Sequence, residues 1–184
     1  MGSRSLLIQI VSERKEENTN TINVTFDTNV FPASGLIQKA EESGYRIHVV
    51  SVTERESEGC GFTPELKPLV NIPETFVLDE SKLDSKTRLK DDNEPHRLEI
   101  ALRILSNGSF PPIESRQNLT NGQRRMLRDA MILASHARVG HEIFVTKDAK
   151  GFVKHGRREE IEAAFQTKVL LVDEFWNLIK AKFR

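Results

Sequence analysis

Hydrophobic and polar positions follow two rhythms along this chain. Short apolar runs rich in β-branched residues occur at Ser5–Ser12, Ile22–Phe26, Ile47–Val52, Glu142–Thr146 and Lys168–Val172. Runs of this length, bounded by polar residues, read as strands. Between them the apolar positions recur at helical spacing. Ala33, Leu36, Ile37 and Ala40 predict a helix with Pro32 in its first turn and Gly44 at its left-handed end. Thr53 and Glu56 stand at capping-box spacing for a short helix. Leu98, Ala101, Leu102 and Leu105 predict a helix over Pro95–Ser106, stopped by Asn107-Gly108. Leu127, Ala130, Met131, Ala134 and Ala137 predict a long helix over Asn121–Arg138. A further helix, Arg157–Phe165, would rest on Ile161, Ala164 and Phe165, and Asp173 would cap a last one running to Phe183. Strands alternating with helices imply an α/β fold with a parallel sheet covered on both faces. Right-handed crossovers then bring the carboxyl ends of the strands to one edge.

The rhythm loosens between 59 and 117, where six of the seven prolines fall and charge is dense around Asp79–Glu94. This stretch reads as an insertion in a single domain spanning 1–184. A chain of 184 residues with 38% apolar and 29% charged residues suits one such domain with a real core. The single cysteine, Cys60, excludes an intramolecular disulfide framework and a cysteine-rich zinc site. Leu6–Val11 is too short for a membrane span or a signal-peptide core, so a cytoplasmic protein without a membrane partner is expected.

The candidate chemistry lies in four carboxylates. Asp27 directly follows one apolar strand, and Asp148 follows another, two residues past Thr146. Ligands of open parallel sheets bind beyond the carboxyl ends of the strands, so these two acids are candidates for one site. Glu56 lies in the first turn after the second strand, with Glu54 as the alternative. Asp129 sits on the margin of an apolar helical stripe, where a carboxylate is partly desolvated and needs a partner. Each acid also has an ordinary reading as a turn residue, a cap or a helix-dipole partner. Four nearby carboxylates repel one another, and a hard divalent cation such as Mg²⁺ or Mn²⁺ relieves that repulsion. An ion so held suits phosphodiester hydrolysis.

With these residues in view the chain resembles the PIN-domain ribonucleases. The matching pieces are Asp27-Thr28-Asn29, Ser51-Val52-Thr53-Glu54-Arg55-Glu56, Asp129-Ala130-Met131-Ile132-Leu133-Ala134, and Thr146-Lys147-Asp148 with Phe152 behind it. The resemblance covers roughly 22–58 and 120–175. It implies a three-layer α/β/α sandwich with a parallel central sheet. It also implies Mg²⁺- or Mn²⁺-dependent cleavage of single-stranded RNA, with Asp27, Glu56, Asp129 and Asp148 as catalytic metal ligands. Asn29 and Thr146 would orient those ligands. The chain departs from the family pattern in its longer 59–117 segment and in the four-residue step from Asp148 to Phe152.

Net charge is zero, with 27 basic and 27 acidic residues, which argues against a polycationic nucleic-acid binder. Its distribution changes that picture. Residues 1–100 carry 12 Lys and Arg against 18 acids, whereas Arg124–Arg158 carries 9 against 3. Arg124, Arg125, Arg128, Lys147, Lys150, Lys154, Arg157 and Arg158 are therefore the candidates for holding an RNA backbone. With 7% aromatic residues, base stacking is expected to count for little. The five histidines form no zinc-like cluster in sequence; His48 is expected in a strand and the others on the surface. The expected function is a metal-dependent endoribonuclease, either a processing enzyme or a toxin with an antitoxin partner, with self-association open. The competing expectation is a catalytically inactive PIN-like module that binds RNA or protein. A haloacid-dehalogenase-type phosphotransferase would require a second Asp where Asn29 stands.

Overall fold

Strand β1 (Ile22–Phe26) lies at the middle of a parallel sheet with β2 (Tyr45–Val50) on one side and β6 (Ile143–Thr146) on the other. The computed structural model describes residues 21–182 apart from 76, 78–79, 82–86 and 89–93. The strand expected at Ser5–Ser12 and much of the charged run around 79–94 lie outside the described residues. Beyond β2 runs β3 (Val70–Ile72), and beyond β6 runs β7 (Lys168–Leu171), giving the order β3-β2-β1-β6-β7. Every adjacent pair is parallel.

Alternation along the strands divides their side chains between two cores. Val24 and Phe26 of β1, Ile47 and Val49 of β2, and Ile143 and Val145 of β6 face one core. Helix α1 (Ser34–Glu42) covers that face with Leu36, Ile37 and Ala40, beside Phe175 and Ile179 of α8 (Val172–Ala181). Phe144 of β6, Val169 of β7 and Val50 of β2 face the other core. There α4 (Glu94–Ser106) and α5 (Asn121–Val139) bring in Leu98, Leu102, Leu127, Met131 and Leu133, and α7 (Arg157–Phe165) brings in Ile161. The fold is thus α/β, with a five-stranded parallel sheet flanked by helices and compatible with a three-layer sandwich.

The remaining elements are α2 (Ser51–Glu56), α3 (Thr63–Leu66), α6 (Ala149–Phe152), the two-residue parallel pair β4 (Glu74–Thr75) and β5 (Thr87–Arg88), and two 3-10 helices at Thr28–Val30 and Ile113–Asn118. The stretch 59–117, expected as an insertion, contributes β3 to the edge of the main sheet and α4 to the second core. It is also tied to α2 by charge. Arg55 donates to both oxygens of the buried Glu74 at 2.6 and 2.7 Å. Val70 is 48% exposed, as an edge strand permits.

Several expected boundaries shift for identifiable reasons. Helix α1 begins at Ser34 rather than Pro32, because Ala33 is non-helical and its N–H is taken by Glu65 at 2.7 Å. Gly44 does end it in the left-handed region, at φ +80°. Thr53 is no cap: α2 starts directly from β2, so Thr53 falls inside it and is buried. The capping box belongs instead to Thr120 and Gln123 at the start of α5. Asp173 lies inside the first turn of α8, and Glu174 caps Leu171 N–H at 2.7 Å. Of the expected face of α7 only Ile161 is buried; Ala164 is exposed.

Two histidines expected on the surface are buried. Thr25 Oγ1 lies 2.9 Å from Nδ1 of both His136 and His141, and His136 Nε2 lies 2.8 Å from Thr167 Oγ1. His48 packs on His141 with ring centroids 4.1 Å apart. Burial holds His136 at a pKa of about 3, and His48 and His141 at about 4. A histidine kept neutral by the fold stabilises fully above its unfolded value near 6.5, and that stability drains as pH falls towards the folded value. Expressed against a His136→Gln variant in urea unfolding, wild-type stability should fall by about 2 kcal/mol between pH 7 and pH 5. A pH-independent difference would show that His136 titrates normally.

Candidate functional site

The winding of the sheet reverses between β1 and β6: one half of the chain builds outward through β2 and β3, the other through β7. A crevice beyond the strand ends at such a reversal is the expected ligand site of an open parallel sheet. Asp27 is the first residue past β1, and its N–H continues the ladder to Val145 O at 2.9 Å. Its carboxylate is 1% exposed. Thr146, the last residue of β6, donates its hydroxyl to Asp27 Oδ2 at 2.7 Å, and Asn29 Nδ2 donates to the same oxygen at 2.5 Å. Asn29 Oδ1 in turn accepts Lys147 N–H at 2.7 Å. Asn29 and Thr146 therefore brace Asp27 from both strands.

Asp148 hangs from the same brace, its N–H donating to Thr146 Oγ1 at 3.0 Å. Its side chain caps α6 by accepting Gly151 N–H at 2.8 Å. A Cβ on residue 151 would stand 2.5 Å from Asp148 Oδ2, so only glycine leaves room for this carboxylate position.

Glu56 ends α2, and its Oε2 accepts the Thr28 hydroxyl at 2.8 Å. Asp129 projects from the third turn of α5. Asp27, Glu56, Asp129 and Asp148 line one cleft of about 380 Å³ with Thr28, Asn29, Arg125 and Arg128. Glu54, the alternative to Glu56, is not among the lining residues. Burial raises Asp27 to a pKa of about 6, opposed by the Thr146 hydrogen bond and helped by the charges of Glu56 and Asp148. Burial also raises Asp129, to about 8, with Asp27, Glu56 and Asp148 adding repulsion and Arg125 opposing it. In both, burial is the larger cause and the neighbouring carboxylates add to it.

The basic residues divide. Arg125 and Arg128 line the cleft. Arg128 Nη1 is 3.8 Å from Glu56 Oε1, and its Nε donates to Glu80 at 3.0 Å. Arg124 pairs with the same Glu80 at 2.6 Å. Lys147 donates to Val30 O at 2.8 Å, while Lys150 and Lys154 are exposed. Arg157 donates to Lys150 O, and Arg158 pairs through both Nη atoms with Glu174. Arg158 is thereby paired to α8.

All four expected acids are brought to one cleft by four separate segments of the chain. Among the described residues no three His, Cys, Asp or Glu side chains stand closed as a metal-ligating group. Their chemistry nonetheless fits a hard cation: the cleft is lined by oxygen donors, one carboxylate is wholly buried, and two resist ionisation. Thr28, Gly151 and Glu80 do not stand out in the sequence. Thr28 follows Asp27 and Gly151 precedes Phe152, so both fall within the motifs, but nothing in a single sequence gives Glu80 its partners. No family model matches the chain, and no curated protein matches it.

Asp129 bears a folded pKa raised above its unfolded value near 3.8, so its unfavourable share is absent at low pH, grows as pH rises above about 4 and is complete above about 8. Asp129→Asn removes that share. In metal-free buffer the variant should be more stable than wild type by about 2 kcal/mol at pH 8.5, with the gap closing near pH 4. A gap that is flat or inverted across this range in thermal unfolding would place Asp129 in an ordinary environment.

Proposed function

We propose that the protein is a Mg²⁺- or Mn²⁺-dependent endoribonuclease with a PIN-like fold. The observation that carries the reading is the convergence of Asp27, Glu56, Asp129 and Asp148 on one cleft at the reversal of the sheet. A bound Mg²⁺ or Mn²⁺ would supply Lewis acidity and lower the pKa of water for phosphodiester hydrolysis. Asp27, Asp129 and Asp148 would hold the ion, with Glu56 assisting. Thr146 and Asn29 fix the direction of the Asp27 carboxylate, so little reorientation is left for binding. Asp129, raised to about 8, keeps its proton near neutral pH while no cation is present. Arg125 and Arg128 on the cleft wall would face the RNA phosphates, and Lys150 and Lys154 would extend the basic rim.

An open arrangement of carboxylates also favours a second reading, a PIN-like module that binds RNA without cutting it. Calorimetric titration with Mn²⁺ separates the two: the nuclease reading requires binding, and silence at millimolar metal with RNA binding retained supports the module. Saturating Mn²⁺ should raise the melting temperature by about 5–10 °C at a hundredfold excess over Kd. Asp27→Asn and Asp148→Asn should each lower Mn²⁺-dependent cleavage of single-stranded RNA by about 100-fold or more. Full activity in both variants would end the assignment. Gly151→Ala, which pushes the Asp148 carboxylate aside, should weaken Mn²⁺ binding about tenfold with the fold intact.

A further inference from the structure

Glu80 lies outside the carboxylate cleft and has no part in the mechanism above, yet its side chain is only 4% exposed. It sits in a tight turn, where Glu80 N–H and Ser81 N–H both return to Val77 O and the Ser81 hydroxyl caps Val77 N–H. Val77 packs against the core beneath α5. From this anchored position the two carboxylate oxygens serve different partners. Oε1 accepts from Arg124 Nη1 at 2.6 Å, and Oε2 accepts from Arg128 Nε at 3.0 Å. The two arginines are one helical turn apart, so a single fixed carboxylate sets both.

Two roles suit a buried carboxylate under a pair of arginines: it could neutralise them, or it could aim them. The bonding distinguishes these. Where a carboxylate pairs with a single arginine, as Glu174 does with Arg158, it takes both Nη atoms of the fork. Glu80 takes one N–H from each of Arg124 and Arg128; among the described residues the rest of each fork makes no hydrogen bond, with Arg128 Nη1 ion-paired to Glu56 at 3.8 Å, and both side chains stay one-third exposed. Arg128 already reaches the cleft wall beside Glu56. Holding a long side chain in one geometry removes an entropic cost that binding would otherwise bear.

We propose that Glu80 is a positioning residue for RNA, which pre-sets Arg124 and Arg128 to grip the phosphate backbone as it enters the carboxylate cleft. This rests on the nuclease reading. The test is binding of a fluorescent single-stranded RNA, followed by anisotropy in EDTA over a series of salt concentrations, beside Mn²⁺ calorimetry and melting. Glu80→Gln should raise the RNA Kd about five- to tenfold. It should also make the salt dependence shallower by about 0.7 in log–log slope for each phosphate that is no longer gripped. Mn²⁺ affinity should stay unchanged. In an Arg124→Ala/Arg128→Ala background the same substitution should do nothing further, as required of a residue acting through those two. Glu80→Asp keeps the charge but shortens the reach and should give an intermediate weakening; it supplies the same readout if Glu80→Gln melts too low to assay. Tighter binding with a steeper salt slope in Glu80→Gln would identify Glu80 as a charge mask and overturn the proposal. So would an equal weakening in the double-alanine background, which marks general destabilisation. Wild-type protein that binds neither RNA nor Mn²⁺ would overturn the nuclease reading and this inference with it; wild-type binding with an unaffected Glu80→Gln would overturn the inference alone.

Discussion

The pairing of β1 with β6 is the constraint on which the rest of the molecule depends. Every other pairing within the main sheet joins a strand to the next one of that sheet along the chain. The β1–β6 ladder instead joins Val24 to Ile143 and Phe26 to Val145, more than a hundred residues apart. Closing so long a loop is slow but costs only logarithmically more than closing a short one. Once closed, it sets the two halves of the chain side by side and ends both strands at one point. Asp27, Asn29, Thr146 and Asp148 meet there because the ladder ends there. The hydrogen bond from Thr146 to Asp27 completes the same register in side chains.

The site is destabilising by construction, and the fold carries that burden from both sides. Burial and mutual repulsion keep Asp27 and Asp129 from ionising freely, a configuration that a structure selected for stability alone would remove. The opposing support is mostly apolar. Two cores, one under α1 and α8 and the other under α4, α5 and α7, pin the sheet on both faces. Rigid strands then hold the acids in place despite their repulsion, as a preorganised binding site requires.

Much of this was legible in the sequence where one local rule dominates. Leu127, Ala130 and Met131 at helical spacing marked α5, and Ile22–Phe26 marked β1, because burial on a regular element leaves a periodic trace. The position of Asp27 and Asp148 just past apolar strands marked the edge at which they meet. What escaped was whatever depends on distant partners. Val70–Ile72 has too few residues to show a period, so β3 became visible only through its pairing with β2. His136 and His141 looked like surface residues because their burial is licensed by the hydroxyls of Thr25 and Thr167, which other segments bring to them. The basic run read as one surface, although Glu80 and Glu174, from distant parts of the chain, divide its arginines between different carboxylate partners.

The buried histidines have a further consequence in the direction of their hydrogens. With the Thr167 hydroxyl hydrogen directed to Glu142 O at 3.2 Å, Thr167 Oγ1 accepts from His136 Nε2 at 2.8 Å. In that arrangement His136 carries its proton on Nε2 and accepts at Nδ1 from Thr25. Thr25, its own hydrogen spent, accepts from His141 Nδ1. The series runs one way from His141 through the sheet to the carbonyl of Glu142, with one hydrogen for each link. A second proton on His136 would take from the Thr25 hydroxyl hydrogen the acceptor it has at Nδ1. Each choice of hydrogen along this series constrains the next, so the tautomers of the two rings are linked through Thr25.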